Sequence, residues 1–197
     1  MSFDDMTRLA SVARWEADAA GRLRGAAMEL YATQGYEQTT VAEIAARAGV
    51  TARTFFRHFT DKREVLFAGS DALEADMVTA LAAAGGDPMA AVAAALDAAV
   101  PFLGRDHALS RRRRSIIAAN PDLLERELIK MARLSAALRA ALRDRGVPEP
   151  DAALAASCGI VAFQTAFEQW VAEPADTGLG DRMRATFDRM REVVRAS

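Results

Sequence analysis

The octet Thr51-Ala52-Arg53-Thr54-Phe55-Phe56-Arg57-His58 holds the side chains with the clearest chemical purpose in the chain. On a helix of 3.6 residues per turn, Thr51, Ala52, Arg53, Thr54, Arg57 and His58 project from the outer surface, while Phe55 and Phe59 turn inward. That outer set has the parts a DNA major groove calls for. An arginine can pair with guanine, a small apolar group can meet a thymine methyl, and hydroxyls can reach phosphates. Charge agrees locally. From Arg22 to Arg63 seven bases face four acids, although the whole chain carries a net charge of −2. The excess of arginine over lysine throughout the chain weakens the reading of any single arginine, so the argument rests on the set.

Other chemistry finds little material. No Ser/His/Asp set, glycine-rich phosphate loop or paired-histidine metal motif occurs, which argues against an enzyme and implies no cofactor. With two histidines, His58 and His107, and one cysteine, Cys158, a metal site would need many carboxylates in support. His107 reads as a surface loop residue and Cys158 as a small core residue. The run Arg111–Arg114 covers all faces of a helix at about 100° per residue, so at least one side chain points inward. Two readings stay open: pairing with Asp122, Glu125 or Glu127, or an anion site at the mouth of a pocket.

The elements that position these residues are helices. Alanine is abundant, β-branched residues are sparse, and no alternating strand pattern occurs. Leu23, Ala27, Leu30 and Gln34 mark a first helix closed by Gly35; Arg8 to Asp18 extends it, with Trp15 as an anchor, or forms an arm. Thr40-Val41-Ala42-Glu43 fits a capping box that opens a short helix ending at Ala48-Gly49. Ala45 and Ala46 are small where two helices cross, Gly49 supplies the turn, and Val50 plugs the corner. Thr51 caps the next helix, which runs to about Phe59. Thr60 to Glu64 then opens a long fourth helix with the stripe Leu66, Ser70, Leu73, Met77 and Leu81.

Gly85-Gly86 breaks the chain, and Asp87-Pro88 and Asn120-Pro121 each place proline at a helix start. From Asp151 to Ala172 the pattern is apolar almost all round, which requires burial on more than one side. It carries a small stripe (Ala155, Gly159, Ala162, Ala166) and a bulky one (Ile160, Phe163, Phe167, Trp170). A last helix bears Leu179, Met183, Phe187, Met190 and Val194. The expected fold is all-α with about nine helices. Residues 1–20 form an arm or extension, 21–67 a three-helix DNA-binding domain of helix-turn-helix layout, and 68–197 a helical ligand-binding and dimerisation domain. No apolar run reaches the roughly 20 residues a membrane helix needs, and the start lacks a secretory layout. Together these predict a cytoplasmic protein without a membrane partner.

Arg22 to Phe67 resembles the tetracycline-repressor-like (TetR) regulators. The resemblance lies in Leu30-Tyr31-Ala32-Thr33-Gln34-Gly35-Tyr36, Thr39-Thr40-Val41-Ala42-Glu43-Ile44-Ala45, Ala48-Gly49-Val50-Thr51, Phe55-Phe56-Arg57-His58-Phe59 and Asp61-Lys62-Arg63-Glu64. It implies that Thr39 or Thr40, Thr51, Phe56 and Lys62 lie along the phosphates, and that Ala52, Arg53 and Thr54 face the bases. Arg53 stands where the family usually has glycine, and Phe56 where a tyrosine usually offers its hydroxyl. The resemblance further implies a homodimer through the last two helices that binds a palindromic double-stranded operator, acts as a bacterial repressor on the nucleoid, and is released by a small-molecule effector. Helix four would be the connecting lever. The segment from Arg111 to Trp170 is similar to acyl-CoA-responsive and mycofactocin-associated members. On that reading Phe102, Arg111, Arg114, Phe163, Phe167 and Trp170 frame a pocket for an acyl-CoA or another apolar anion. The rival readings are a helical interaction protein without DNA binding and, more remotely, an enzyme.

Overall fold

A computed structural model describes residues 19–195, and the chain divides into two compact units between Ala68 and Gly69. Trp15 and the upstream arm lie outside the described residues. All regular structure among them is helical.

In the first unit, α1 spans 19–33, α2 Val41–Arg47 and α3 Ala52–His58. Leu23, Ala27, Ile44 and Phe55 are fully enclosed and make the centre of its core. The α1 chain stops at Gly35, whose φ of 90° suits a residue without Cβ. A short 3₁₀ turn, Glu64–Phe67, follows. Here the structure departs from the expected long helix. Asp61 Oδ1 accepts from the backbone N–H of Arg63 and Glu64, at 2.7 and 3.2 Å, and so caps the turn. The turn ends at Ala68, however, and Gly69 adopts φ 85° before the chain starts α4 afresh. The expected helix is therefore two pieces with a left-handed glycine between them.

The second unit contains α4 Ser70–Ala83, α5 Pro88–Leu103, α6 His107–Ala118, α7 Pro121–Asp144, α8 Glu149–Ala172 and α9 Leu179–Arg195. Asp87 caps α5 through the Ala90 N–H at 2.8 Å, as its place before Pro88 suggests. Asn120 does not cap α7 with its side chain; its Nδ2 donates to the Ile116 carbonyl at 2.6 Å instead. Helix α8 packs on α5, α6, α7 and α9, which explains a sequence that is apolar nearly all round. Its small stripe faces inward. A Cβ on Gly159 would lie 2.4 Å from Val92 Cγ1, so the missing side chain is what lets α5 and α8 approach. The bulky stripe is core as well: Phe163 and Phe167 stack at 6.2 Å and Trp170 is fully buried.

Candidate nucleic-acid interface

Two short helices and a tight turn form the site. Thr40 opens α2 with a complete capping box. Its hydroxyl accepts from the Glu43 N–H at 3.2 Å, and Glu43 Oε2 accepts from the Thr40 N–H at 2.8 Å. Those bonds to Thr40 hold the Glu43 carboxyl below its ordinary range. Gly49 takes φ 68°, and the next N–H, that of Val50, donates to the Ala45 carbonyl at 2.9 Å. Ala45 is buried at the crossing, but Ala46 is exposed, so only one of the two expected alanines serves close approach. Thr51 caps α3 through the Thr54 N–H at 3.1 Å.

On α3 the outward residues form three rows, each pairing positions four apart. Arg53 and Arg57 stand in the middle, directly opposite the buried Phe55. Ala52 and Phe56 flank them on one side, and Thr54 and His58 on the other. Both arginines are exposed, and among the described residues no side-chain partner holds Arg53. Elsewhere in this unit Glu29, Asp61 and Glu43 are engaged. Glu29 pairs with Arg47, Asp61 with Arg63 at 2.9 Å, and Glu43 with the Thr40 cap. Burial alone would raise the Asp61 carboxyl, but hydrogen bonds from Arg63 and Glu64 hold it below the usual range. Arg53 and Arg57 place two of the unit's positive charges on the outer face of α3.

Two residues that the resemblance placed on phosphates are occupied within the fold. Thr39 is 1% exposed, and its hydroxyl donates to the Gly35 carbonyl at 2.7 Å. Its side chain serves the loop after α1, and the exposed Thr40 is the threonine available at the surface. The Lys62 ammonium donates to the carbonyls of Tyr36, Thr39 and Glu37, at 2.8, 3.0 and 3.2 Å. It also lies 4.3 Å from the Tyr36 ring centroid. Tyr31 completes this knot by donating to the Lys62 carbonyl at 2.6 Å. All three ammonium protons have acceptors, so Lys62 positions the loop between α1 and α2. No motif signalled this; only the fold brings residue 62 back to residues 36–39.

The residues expected around a ligand take separate places in the second unit. Arg111 is exposed. Arg114 pairs with Glu168 at 3.0 Å and lies 4.0 Å from Glu127, which Arg113 reaches at 3.3 Å. Arg113 and Arg114 are the half-buried members of the run. Burial lowers the Arg113 guanidinium pKa, and Glu127 opposes that shift. Pairing with a neighbouring helix is what the structure shows for Arg113 and Arg114. Phe102 is half-buried, its ring where a Gly69 Cβ would stand. His107 is no loop residue. It begins α6, its ring meets Trp170 at 4.7 Å, and Nε2 lies 2.8 Å from the Trp170 carbonyl. Trp170 Nε1 in turn donates to Asp176 at 2.8 Å. A groove between α4 and α7 is lined by Ser70, Leu73, Lys130, Met131, Arg133 and Leu134, among others.

A capped helix, a glycine turn and a second capped helix that exposes two arginines form a helix-turn-helix, the layout of a DNA-binding unit. Residues 23–68 match the family model of bacterial regulatory proteins, tetR family. Over these residues the first unit is similar to the DNA-binding domain of TetR-family transcriptional regulators. It is 37% identical over 106 residues to the HTH-type transcriptional regulator TcmR of Streptomyces glaucescens. That alignment covers 50% of this chain and 47% of TcmR, so the chain spans about half the length of this curated relative. Solved structures share the fold over most of the chain. A TetR-family regulator from Syntrophomonas wolfei superposes with a TM-score of 0.65 at 13% identity, covering 90% of this chain and 95% of its own. FadR of Bacillus subtilis, solved in complex with stearoyl-CoA, gives 0.60 at 18% identity and covers 86% and 96%.

Proposed function

We propose that the chain represses transcription by binding a palindromic operator as a homodimer, one α3 per half-site, and leaves DNA when an effector binds the second unit. The observation that carries this reading is the Arg53/Arg57 row, exposed at the centre of a fully capped helix-turn-helix. An interaction protein that had lost DNA binding would have no use for that combination. Release follows from linkage. An effector that favours a dimer whose two α3 helices no longer match successive major grooves, about 34 Å apart, must weaken operator binding.

Dimerisation is assigned to α8 and α9, on a different face from the small stripe. Leu154 and Val161 are 66% and 58% exposed and stand seven residues apart on one side of α8; α9 adds Val193 at 55%. Large apolar residues left in solvent on one side of a helix suit an interface centre. Val161→Glu is expected to give monomers in light scattering and to abolish tight operator binding while the helical content stays intact. A Val161→Glu protein that remains a dimer places the interface elsewhere.

For the effector we propose an apolar molecule with an anionic head, acyl-CoAs first. Support comes from the shared fold with a regulator solved with stearoyl-CoA. Titrating an acyl-CoA chain-length series against a preformed operator complex tests it, and no release by any member removes this class.

A further inference from the structure

Phe56 is a large apolar side chain, 58% exposed, on the same surface of α3 as the arginines. It lies about 60° around the helix from Arg53 and one turn beyond the exposed Ala52, so Ala52 and Phe56 form an unbroken apolar row beside the cationic one. Its ring is not loose. Phe55, fully buried, meets it edge to face at 5.4 Å and 82°, and Phe55 is itself packed against Phe59 at 5.5 Å. The core thus holds a phenyl group out in solvent in a fixed orientation.

A phenyl ring has no proton to donate, so beside a phosphate it would displace water from a charge and return nothing. The major groove offers one apolar group, the C5-methyl of thymine. From this geometry we infer that Phe56, with Ala52, is a thymine reader: the ring covers a thymine methyl close to the base pair contacted by Arg53. This assignment rests on the DNA-binding reading above and deepens it. It replaces the phosphate-side role that resemblance implies for position 56 with a base-reading one. Operator half-sites should then carry a thymine at a fixed short distance from the guanine that Arg53 recognises.

The test uses the full-length chain and an operator duplex recovered by selection from random DNA. Each thymine is replaced in turn by deoxyuridine, which removes the methyl and nothing else. For the native chain, one thymine per half-site is expected to be sensitive, with affinity falling about fourfold for each methyl lost, the value of one buried carbon. In Phe56→Ala, whose exposed site carries little risk to folding, the same replacement should be silent. Phe56→Leu, still apolar, should keep part of the effect. Two outcomes overturn the inference. In one, deoxyuridine is silent at every position, or equally costly in the native chain and Phe56→Ala. In the other, Phe56→Tyr strengthens binding to all duplexes alike, which would put the ring at a phosphate. A chain that enriches no sequence at all fails at the earlier step, the DNA-binding reading itself, and is told apart by that.

Discussion

Arg53→Ala should lower affinity for the selected operator by about tenfold or more at fixed salt, because a bidentate arginine–guanine contact contributes roughly 1–3 kcal/mol of discrimination. Arg53 suits this role because nothing else claims it. Arg47 and Arg63 are held by Glu29 and Asp61, whereas Arg53 is exposed and has no side-chain partner among the described residues. Its position two residues past the Thr51 cap places it where side chains of this motif reach base edges. Affinity for an operator changed at the contacted base pair should respond far less to the substitution. Non-specific binding should fall slightly, with its salt slope nearly kept, since that slope reports phosphates and not bases. A two-by-two cycle of Arg53 against that base pair decides between roles. Strong coupling means direct readout, and additive losses mean that Arg53 only adds charge near the backbone.

Gly159→Leu should cost more stability than any surface change in the second unit. Two terms oppose each other. Replacing a helical glycine gains up to about 1 kcal/mol in helix propensity. Against that, the new Cβ would stand 2.4 Å from Val92 Cγ1, and Val92 is fully buried and β-branched, so its side chain has few other rotamers. Overpacking of this kind costs about 1–3 kcal/mol, and a leucine adds further atoms in the same direction, so the clash wins. A lower unfolding temperature is the expected result. Val92→Ala, which removes the clashing atom, should restore part of the loss, making the double variant more stable than the sum of the single changes predicts. If Gly159→Leu instead left unfolding unchanged and only separated the dimer, the small stripe would be an interface between subunits.

What could be read in advance follows the range of the interactions. The capping box at Thr40, the Gly49 turn and the Thr51 cap involve residues within five positions of one another, and the spacing of side-chain types is enough to specify them. The inward turn of Phe55 and Phe59 follows from helical period alone. Long-range partners leave no such trace. Nothing near Lys62 announces the carbonyls of residues 36–39, and nothing near His107 announces Trp170, 63 positions away. The long fourth helix that the pattern predicts breaks for a related reason. Asp61 does cap, but Gly69, an ordinary glycine by sequence, takes a left-handed φ that ends one element and starts another. On α8 the pattern correctly required burial on several sides. It could not say which stripe faces α5, because small and bulky rows suit core and interface equally. The aromatic row Phe163–Trp170 is core in the structure, the role that helical period alone assigns to a bulky stripe.

The central claim, that α3 reads DNA sequence as one half of a symmetric pair, is tested most directly by selecting bound duplexes from a random library with the full-length chain. The account predicts enrichment of a palindrome whose half-sites are centred about one helical turn apart, each with a conserved guanine that loses its conservation when selection is repeated with Arg53→Ala. Enrichment of no sequence, or of an unchanged motif after Arg53→Ala, would contradict it.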